Sequence, residues 1–195
     1  MPYDAEATRA RIFHAAVAEF AAVGIGGARM ERIAERAHAN KSLIYRYFGS
    51  KEKLFAAVLM TELQQLADAV AIDPDRVAQY VGELFDYHVS HPEVIRLMMA
   101  EGFHYGTADV PDQRARGAYY QGKAEAVRRA QARGKADSSL DARSLVLALL
   151  GLVGWYFAAP QISRMVLDDD PHDPAVLAAH REALVEAARR IVHPR

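Results

Sequence analysis

The sequence predicts an all-α protein in which a three-helix N-terminal domain precedes a larger helical bundle. Apolar residues recur every three or four positions along most of the 195 residues, the spacing of an amphipathic helix. No long stretch alternates apolar and polar residues as a half-buried strand does. Caps, glycines and prolines divide the pattern into about nine helices. We expect one domain at residues 1–52 and a second at residues 53–195.

The first three predicted helices are short and closely spaced. The first has an apolar stripe over residues 12–20 and ends at Gly24, because glycine suits the left-handed conformation after a helix. The second covers about residues 30–37, and the third begins beside Ile44. Only residues 38–40 separate these two, so they are expected to form a helix-turn-helix.

The other six predicted helices are delimited by caps and prolines. Ser50 and Asp173 each precede a helix, since their side-chain oxygens can accept hydrogen bonds from its first turn, and Gly134 ends one. Pro92 ends the fifth helix and begins the sixth, and Pro160 is expected to end the eighth. The expected ranges are 50–70, 77–88, 93–103, 113–133, 141–160 and 173–192.

Charge and composition restrict the partners and the compartment. The net charge is −1, but residues 1–53 hold nine Lys and Arg against six Asp and Glu, so only this part suits a polyanion.

The absence of cysteine excludes disulfides, cysteine-bound zinc and thiol catalysis. The N-terminus has no apolar export signal, so a cytoplasmic protein is expected. Residues 145–160 are uncharged but shorter than the roughly 18 apolar residues of a membrane span, so no membrane partner is expected.

The third predicted helix carries the residues that suggest a function. In a helix-turn-helix, the second helix enters the major groove of DNA and its N-terminal side chains face the base edges. Here these are Lys41, Ser42 and Leu43, which suit guanine, either base type and the thymine methyl group, respectively. Double-stranded DNA is therefore the expected partner of this helix.

Basic and aromatic residues follow directly, as expected of a helix that also contacts the DNA backbone. Tyrosine, lysine and arginine side chains donate hydrogen bonds to phosphates, and this group consists of Tyr45, Arg46, Tyr47 and Lys51. The alternative is an ordinary pair of helices, with Phe48 and one of the tyrosines in the core. Spacing alone leaves both interpretations open.

Three motifs between residues 9 and 55 are specific: RARIFHAAVAEFAAVGIGG, MERIAERA and KSLIYRYFGSKEKLF. With them, this stretch resembles the N-terminal domain of the TetR (tetracycline-repressor-like) family of transcriptional regulators. The resemblance implies base contacts by residues 41–43 and phosphate contacts by Tyr45, Tyr47 and Lys51. It further implies a C-terminal domain that binds a small molecule and dimerises.

The sequence departs from the family pattern at three positions. Ala28 and Arg29 replace the usual Thr or Ser pair before the second helix, so the hydroxyl cap is lost and Arg29 is expected to contact phosphate instead. His38 replaces the usual glycine of the turn, which must then accept a side chain. Leu43 replaces the usual threonine and removes a polar DNA contact. The operator sequence therefore does not follow from the family.

The implied effector site is expected among the fifth to eighth predicted helices. Methionine adapts to ligands of varied shape, and aromatic walls with a few polar tips suit drug-sized molecules. An apolar or aromatic effector, oriented by His88 or His104, is therefore expected. The alternative for each candidate is an ordinary core position. The candidates are Tyr87, His88, Met98, Met99, Phe103, His104, Tyr119, Trp155 and Tyr156.

The eighth and ninth predicted helices are expected to form a homodimer interface. Gly151 and Gly154 permit close helix approach beside Trp155, and the ninth helix is apolar along one side from Val176 to Ile191. Both stretches are too apolar for a face left in water. The alternative is that both helices pack inside one protomer.

The sequence therefore predicts a dimeric repressor that an effector releases from operator DNA, with the fourth helix as the lever between the domains.

His88 with His91, and His172 among aspartates, are weak metal motifs, and no metal or other cofactor is expected. No nucleophile elbow, phosphate loop or HExxH pair is present, so an enzyme is not expected. The alternatives are a helical protein-interaction module and a small-molecule-processing enzyme without DNA binding.

Overall fold

The computed structural model describes residues 5–193 and consists of α-helices joined by short connections. Within that range there is no β-strand, so the all-α prediction is confirmed. The ten helices of these residues are α1 (Ala5–Gly27), α2 (Met30–Arg36), α3 (Lys41–Phe48), α4 (Lys51–Ala69), α5 (Gln79–Ser90), α6 (Pro92–Tyr105), α7 (Gln113–Ala132), α8 (Ala142–Ala158), α9 (Pro160–Leu167) and α10 (Pro174–Val192).

The one helix that was not predicted, α9, begins at Pro160. This residue follows α8, as predicted, but it also occupies the first turn of α9, because its fixed φ and missing N–H suit that position. The predicted ninth helix is therefore α10. No single helix in residues 5–193 is long and apolar enough to cross a membrane; α8 and α9 would qualify only together, and they are bent by 90°.

The contacts divide the chain into two compact units. The first unit contains the chain up to Gln65 together with Pro92–Pro111, and α6 packs along α1 within it. The rings of Phe20 and Phe55 meet edge-on with their centroids 5.2 Å apart, and both side chains are fully buried. Ile44 of α3 is also fully buried, which anchors α3 in this unit. The predicted boundary between residues 52 and 53 separates a DNA-binding domain from an effector-binding domain, and it stays a prediction.

The second unit contains Leu66–His91 and the chain from Asp112 onward. Within it, α5 packs against α8 and α10, and α7 packs against α8. Phe85 of α5 is buried, and its ring centroid lies 5.3 Å from that of Tyr156 and 5.2 Å from that of Phe157. Aromatic side chains of α5 and α8 therefore form much of this core.

The predicted helix boundaries are confirmed where a capping residue carried the prediction. The Ser50 hydroxyl accepts a hydrogen bond from the first turn of α4 at 3.2 Å, and the carboxylates of Asp141 and Asp173 cap α8 and α10. Gly24 interrupts α1 with a φ of 67°, after which one further turn follows. Gly134 has the same φ of 67° and follows Arg133, the C-terminal cap of α7. These local signals succeed because each concerns neighbours in sequence.

The turn between α2 and α3 places His38 in the left-handed region, with a φ of 49°. Its N–H donates to Glu35 O at 3.1 Å, and the next N–H donates to Ala34 O at 2.9 Å, the bonding pattern of a helix end that usually contains glycine. The turn thus keeps the geometry of a glycine turn and accepts a side chain at an energetic cost.

Replacing this histidine should stabilise the protein. We expect His38→Gly to raise the free energy of unfolding by about 0.5–1 kcal/mol, because the strain of a left-handed β-carbon is removed. Urea denaturation of both proteins measures the change. The control is His14→Gly within α1, where glycine should lower stability by about 1 kcal/mol. A loss of stability with His38→Gly would show that the imidazole makes a contact worth more than the strain.

Candidate functional site

The N-terminal end of α3 presents a polar face to solvent. The Asn40 side chain caps α3 by accepting a hydrogen bond from Ser42 N at 2.8 Å. Ile44 and Phe48 are the buried residues of this helix. The exposed positions are Lys41, Ser42, Tyr45 and Arg46, and Leu43 is only half-buried. Four of the predicted DNA-contacting residues thus share one exposed face.

The remaining predicted phosphate contacts are partly engaged in the fold. Tyr47 is half-buried, with its ring 6.3 Å from that of Phe48. Lys51 is half-buried at the start of α4, and its Nζ donates to Ala28 O at 3.4 Å. This bond ties the first turn of α4 to the connection before α2. Arg29 is exposed and precedes α2.

The missing hydroxyl cap of α2 is replaced by a residue from another helix. Arg29 makes no side-chain cap. Its N–H instead donates to the carboxylate of Glu19 at 3.3 Å, and the same carboxylate pairs with Arg32 at 3.3 Å. Glu19 is almost fully buried on α1. This role of Glu19 was not predicted from the sequence, where its signal is an acid on the largely apolar buried face of α1.

An acidic residue on α2 holds the first candidate base-reading side chain. The carboxylate of Glu31 forms an ion pair with the Lys41 ammonium across the turn. This hydrogen bond raises the pKa of Lys41 and lowers the pKa of Glu31. The same ammonium lies 5.9 Å from the ring centroid of Tyr45. A DNA contact by Lys41 must therefore compete with Glu31.

Removal of that acid should strengthen DNA binding. We expect Glu31→Gln to raise DNA affinity about threefold to fivefold, because the exposed ion pair is weak and its loss frees the Lys41 ammonium for DNA. Fluorescence anisotropy titrations at several salt concentrations measure affinity and its salt dependence. Glu35→Gln, an exposed acid on the same helix, is the control and should have a smaller effect. If both variants gained the same DNA affinity, Glu31 would act only through the net charge of the protein.

The predicted effector residues are divided between the two units. Those on α6 belong to the first unit, and those on α5, α7 and α8 belong to the second. Phe103 is 83% exposed and Trp155 is 61% exposed, so neither is a core residue of the single chain. Tyr156 is buried, and its hydroxyl donates to Pro171 O at 2.6 Å. The alternative of an ordinary structural position suits Tyr156.

His88 is a buried histidine whose ring lacks a full set of partners. It is 3% exposed, its ring centroid lies 5.6 Å from that of Phe157, and Nδ1 has no hydrogen-bond partner among the described residues. Burial, with a smaller effect of His91, lowers the pKa of His88 to about 4. A neutral buried imidazole of this kind is able to hydrogen-bond a ligand.

A second polar group in this unit was not anticipated from the sequence. Lys123 of α7 is 6% exposed, and its Nζ lies 3.5 Å from Val70 O. The ammonium also lies 4.5 Å from the ring centroid of Tyr80 and 4.6 Å from that of Tyr119. Burial lowers the pKa of Lys123 to about 8 and raises the pKa of Tyr119 to about 12. The available signal was a lysine on the helix face that also carries Val127 and Ala130.

The weak metal motifs do not converge. Across residues 5–193, no group of three or more His, Asp and Glu side chains is arranged to hold a metal ion. Asp170 and Asp173 instead accept hydrogen bonds from backbone N–H groups, at 3.0 Å from His172 and 2.8 Å from Ala175. The aspartates near His172 therefore serve the turn and the start of α10.

Family models and known proteins match both parts of the chain. Residues 12–58 match the model of bacterial regulatory proteins of the tetR family, and residues 76–190 match the tetracyclin repressor-like C-terminal domain. The HTH-type transcriptional repressor SCO4008 of Streptomyces coelicolor is 44% identical over 189 residues, covering 97% of each chain. The repressor NicS of Pseudomonas putida is 38% identical over 109 residues, covering 52% of this chain and 51% of its own.

A solved structure agrees with this assignment over nearly the whole fold. The crystal structure of the transcriptional regulator SCO4942 from Streptomyces coelicolor superposes with a TM-score of 0.83 at 34% identity, covering 96% of this chain and 99% of that one. The predicted resemblance is thereby confirmed beyond the three N-terminal motifs. The exposed face of α3, the two family models and these relatives together establish that the chain belongs to the TetR family of DNA-binding transcriptional regulators.

Proposed function

We propose that this protein is a cytoplasmic repressor that binds operator DNA as a homodimer and is released by a small molecule. The observation that carries the proposal is the exposed face of α3 formed by Lys41, Ser42, Tyr45 and Arg46. The opposite side of this helix is buried, and its N-terminal end is capped. These side chains match the base-edge and phosphate contacts of a recognition helix. The repressor names of relatives up to 44% identical favour repression over activation.

The DNA-binding part is proposed to be residues 1–52, and Arg29, Leu43, Tyr47 and Lys51 are proposed to complete its contacts. Lys51 lies beside the Ser50 cap, where the positive end of α4 also favours a phosphate. Leu43 is half-buried and offers only an apolar contact, which suits a single thymine methyl group. Base reading would then fall mainly to Lys41 and Ser42.

The dimer is proposed to form through α8 and α10. Leu147 of α8 is 71% exposed, and Trp155 lies two turns further along the same helix. These large apolar side chains in water are typical of a face that another chain covers. On α10, the exposed small residues Ala178, Ala179 and Ala183 permit close approach of a second helix. A two-fold dimer would present two copies of α3 to a palindromic site.

The C-terminal part, residues 53–195, is proposed to hold an apolar or aromatic effector. His88 supports this proposal because its buried Nδ1 lacks a partner among the described residues. The effector would release DNA only if it binds better to a dimer whose recognition helices no longer fit successive major grooves. The proposed lever is α4, which begins at Lys51 and ends at Ala69.

An unbiased selection tests this function. Purified protein without added ligand is incubated with sheared DNA from its own genome, and the retained fragments are sequenced. We expect a few fragments that share a near-palindrome, with half-sites about one helical turn apart. Protein carrying both Lys41→Ala and Arg46→Ala serves as the control and should retain none of them. Retention that is equal for all sequences, or equal for wild type and control, would refute a sequence-reading role for α3.

A further inference from the structure

Lys123 is a buried cation without an acidic partner. Its surroundings in the second unit are Val70 O and the rings of Tyr80 and Tyr119, and no Asp or Glu of residues 5–193 forms an ion pair with it. Lysine is rarely fully buried without a partner, because removing an ammonium from water is costly. The two rings offset part of this cost through cation–π contacts. They do not accept its N–H hydrogen bonds as an oxygen would.

Two hydrogen-bonding groups on one side of α7 are left incompletely satisfied. The Lys123 ammonium has three N–H donors, and the hydrogen-bond acceptor found for it within residues 5–193, Val70 O, lies at 3.5 Å, the outer limit of a hydrogen bond. The Tyr119 hydroxyl is buried one turn earlier on the same helix and has no partner in the part of the chain that the structure describes. Both groups can donate to one anion.

We propose that Lys123 and Tyr119 bind the anionic group of the effector, which is therefore an aromatic or apolar molecule with a carboxylate or similar single negative charge. Charge-assisted bonds from an ammonium and a phenol hydroxyl suit such a group. The rings of Tyr80 and Tyr119, whose centroids lie 4.5 Å and 4.6 Å from the ammonium, supply aromatic surface next to it for the attached ring. The pKa of about 8 leaves Lys123 mainly protonated near neutral pH. This inference rests on the proposed effector-binding function and specifies its ligand class.

A matched pair of fluorescent probes tests the charge preference. 8-Anilinonaphthalene-1-sulfonate and N-phenyl-1-naphthylamine share one ring system, and only the first is an anion. We expect the sulfonate to bind the wild-type dimer at least about tenfold more tightly than the neutral amine, since a hydrogen-bonded ion in a buried site has at least this effect. Lys123→Met should weaken sulfonate binding about tenfold and change amine binding less than twofold. Tyr119→Phe should give a smaller loss in the same direction.

A control variant and the selection of operator fragments distinguish the anion site from the proposed repressor function. Lys135→Met removes the same charge at an exposed position after α7 and should bind both probes as wild type does. Unchanged sulfonate binding in Lys123→Met, or an equal loss for both probes, would overturn the anion assignment while operator binding stands. Failure of wild type to bind the sulfonate would overturn it as well. Lysine-dependent sulfonate binding without any operator recovery would support the anion site and refute the proposed repressor.

Discussion

Lys51→Ala should weaken operator binding about 30-fold at 0.15 M salt while leaving sequence preference unchanged. Lys51 lies at the first turn of α4, and its ammonium reaches Ala28 O at 3.4 Å, so it is held close to the connection that precedes α2. The proposed dimer has two such lysines. Each lost phosphate contact reduces the slope of log affinity against log salt by about 0.9, which corresponds to about fivefold at this salt concentration.

The measurement is a set of anisotropy titrations on a retained fragment between 0.05 and 0.3 M salt, a range chosen to resolve the slope. The slope should decrease by about 1.8 for two lysines. Lys135→Ala provides the same substitution at an exposed lysine outside the proposed DNA surface and should change neither quantity. Thermal unfolding of each variant checks that the lost bond to Ala28 O has not unfolded the first unit. An unchanged slope in a folded Lys51→Ala dimer would place Lys51 away from the phosphates.

Lys123→Met should stabilise the effector-free protein by about 2 kcal/mol at pH 7. The folded protein lowers the pKa of Lys123 from 10.5 to about 8 because the ammonium is buried, a penalty of roughly 3 kcal/mol. Loss of the cation–π contacts with Tyr80 and Tyr119 offsets part of the gain. Methionine has a similar length and can fill the same space with apolar atoms.

The pH dependence gives this prediction a second readout. Between pH 8 and 10.5 the unfolded chain holds a proton on Lys123 that the folded chain has released, so wild-type stability should rise with pH across this window. The variant lacks that rise. Urea denaturation from pH 7 to 9.5 should therefore show the stability difference shrinking. The range ends there because Tyr119, with a pKa raised to about 12, begins to oppose the trend above pH 10.

Lys135→Met is the control and should change stability by less than about 0.5 kcal/mol. A marked destabilisation by Lys123→Met with no change in pH dependence would identify Lys123 as a structural tie to Val70 O. A stabilised variant that has also lost anion binding would instead show that the buried charge is kept for the ligand at the expense of stability.

Much of the first unit was predictable because its signals lie close together in sequence. The cap of α4 by Ser50, the break at Gly24 and the three-residue turn around His38 each depend on neighbours within a few positions. The exposed face of α3 followed from the same spacing, since Ile44 and Phe48 are one turn apart and both buried. Helix-turn-helix geometry is largely local, so the exposed residues of α3 could be named in advance.

The predicted effector residues lie in very different environments. Methionine and aromatic spacing selected His88, which is buried with an unpartnered nitrogen, but it also selected Phe103, which is 83% exposed. Lys123 was overlooked because only methionine, histidine and aromatic residues were considered as effector contacts. A helix of known periodicity reveals which side chains share a face, but it does not reveal what the face packs against.

The all-α class, most helix boundaries, the helix-turn-helix and the family could be predicted from the sequence. Three contacts between residues far apart in sequence or across a turn became visible only in the folded chain. They are the Glu19 cap of Arg29 N, the pairing of Glu31 with Lys41, and the enclosure of Lys123 by Tyr80 and Tyr119. Each depends on how one helix is positioned against another. Local periodicity sets the identity of a helix face, whereas packing alone sets which charge meets which partner.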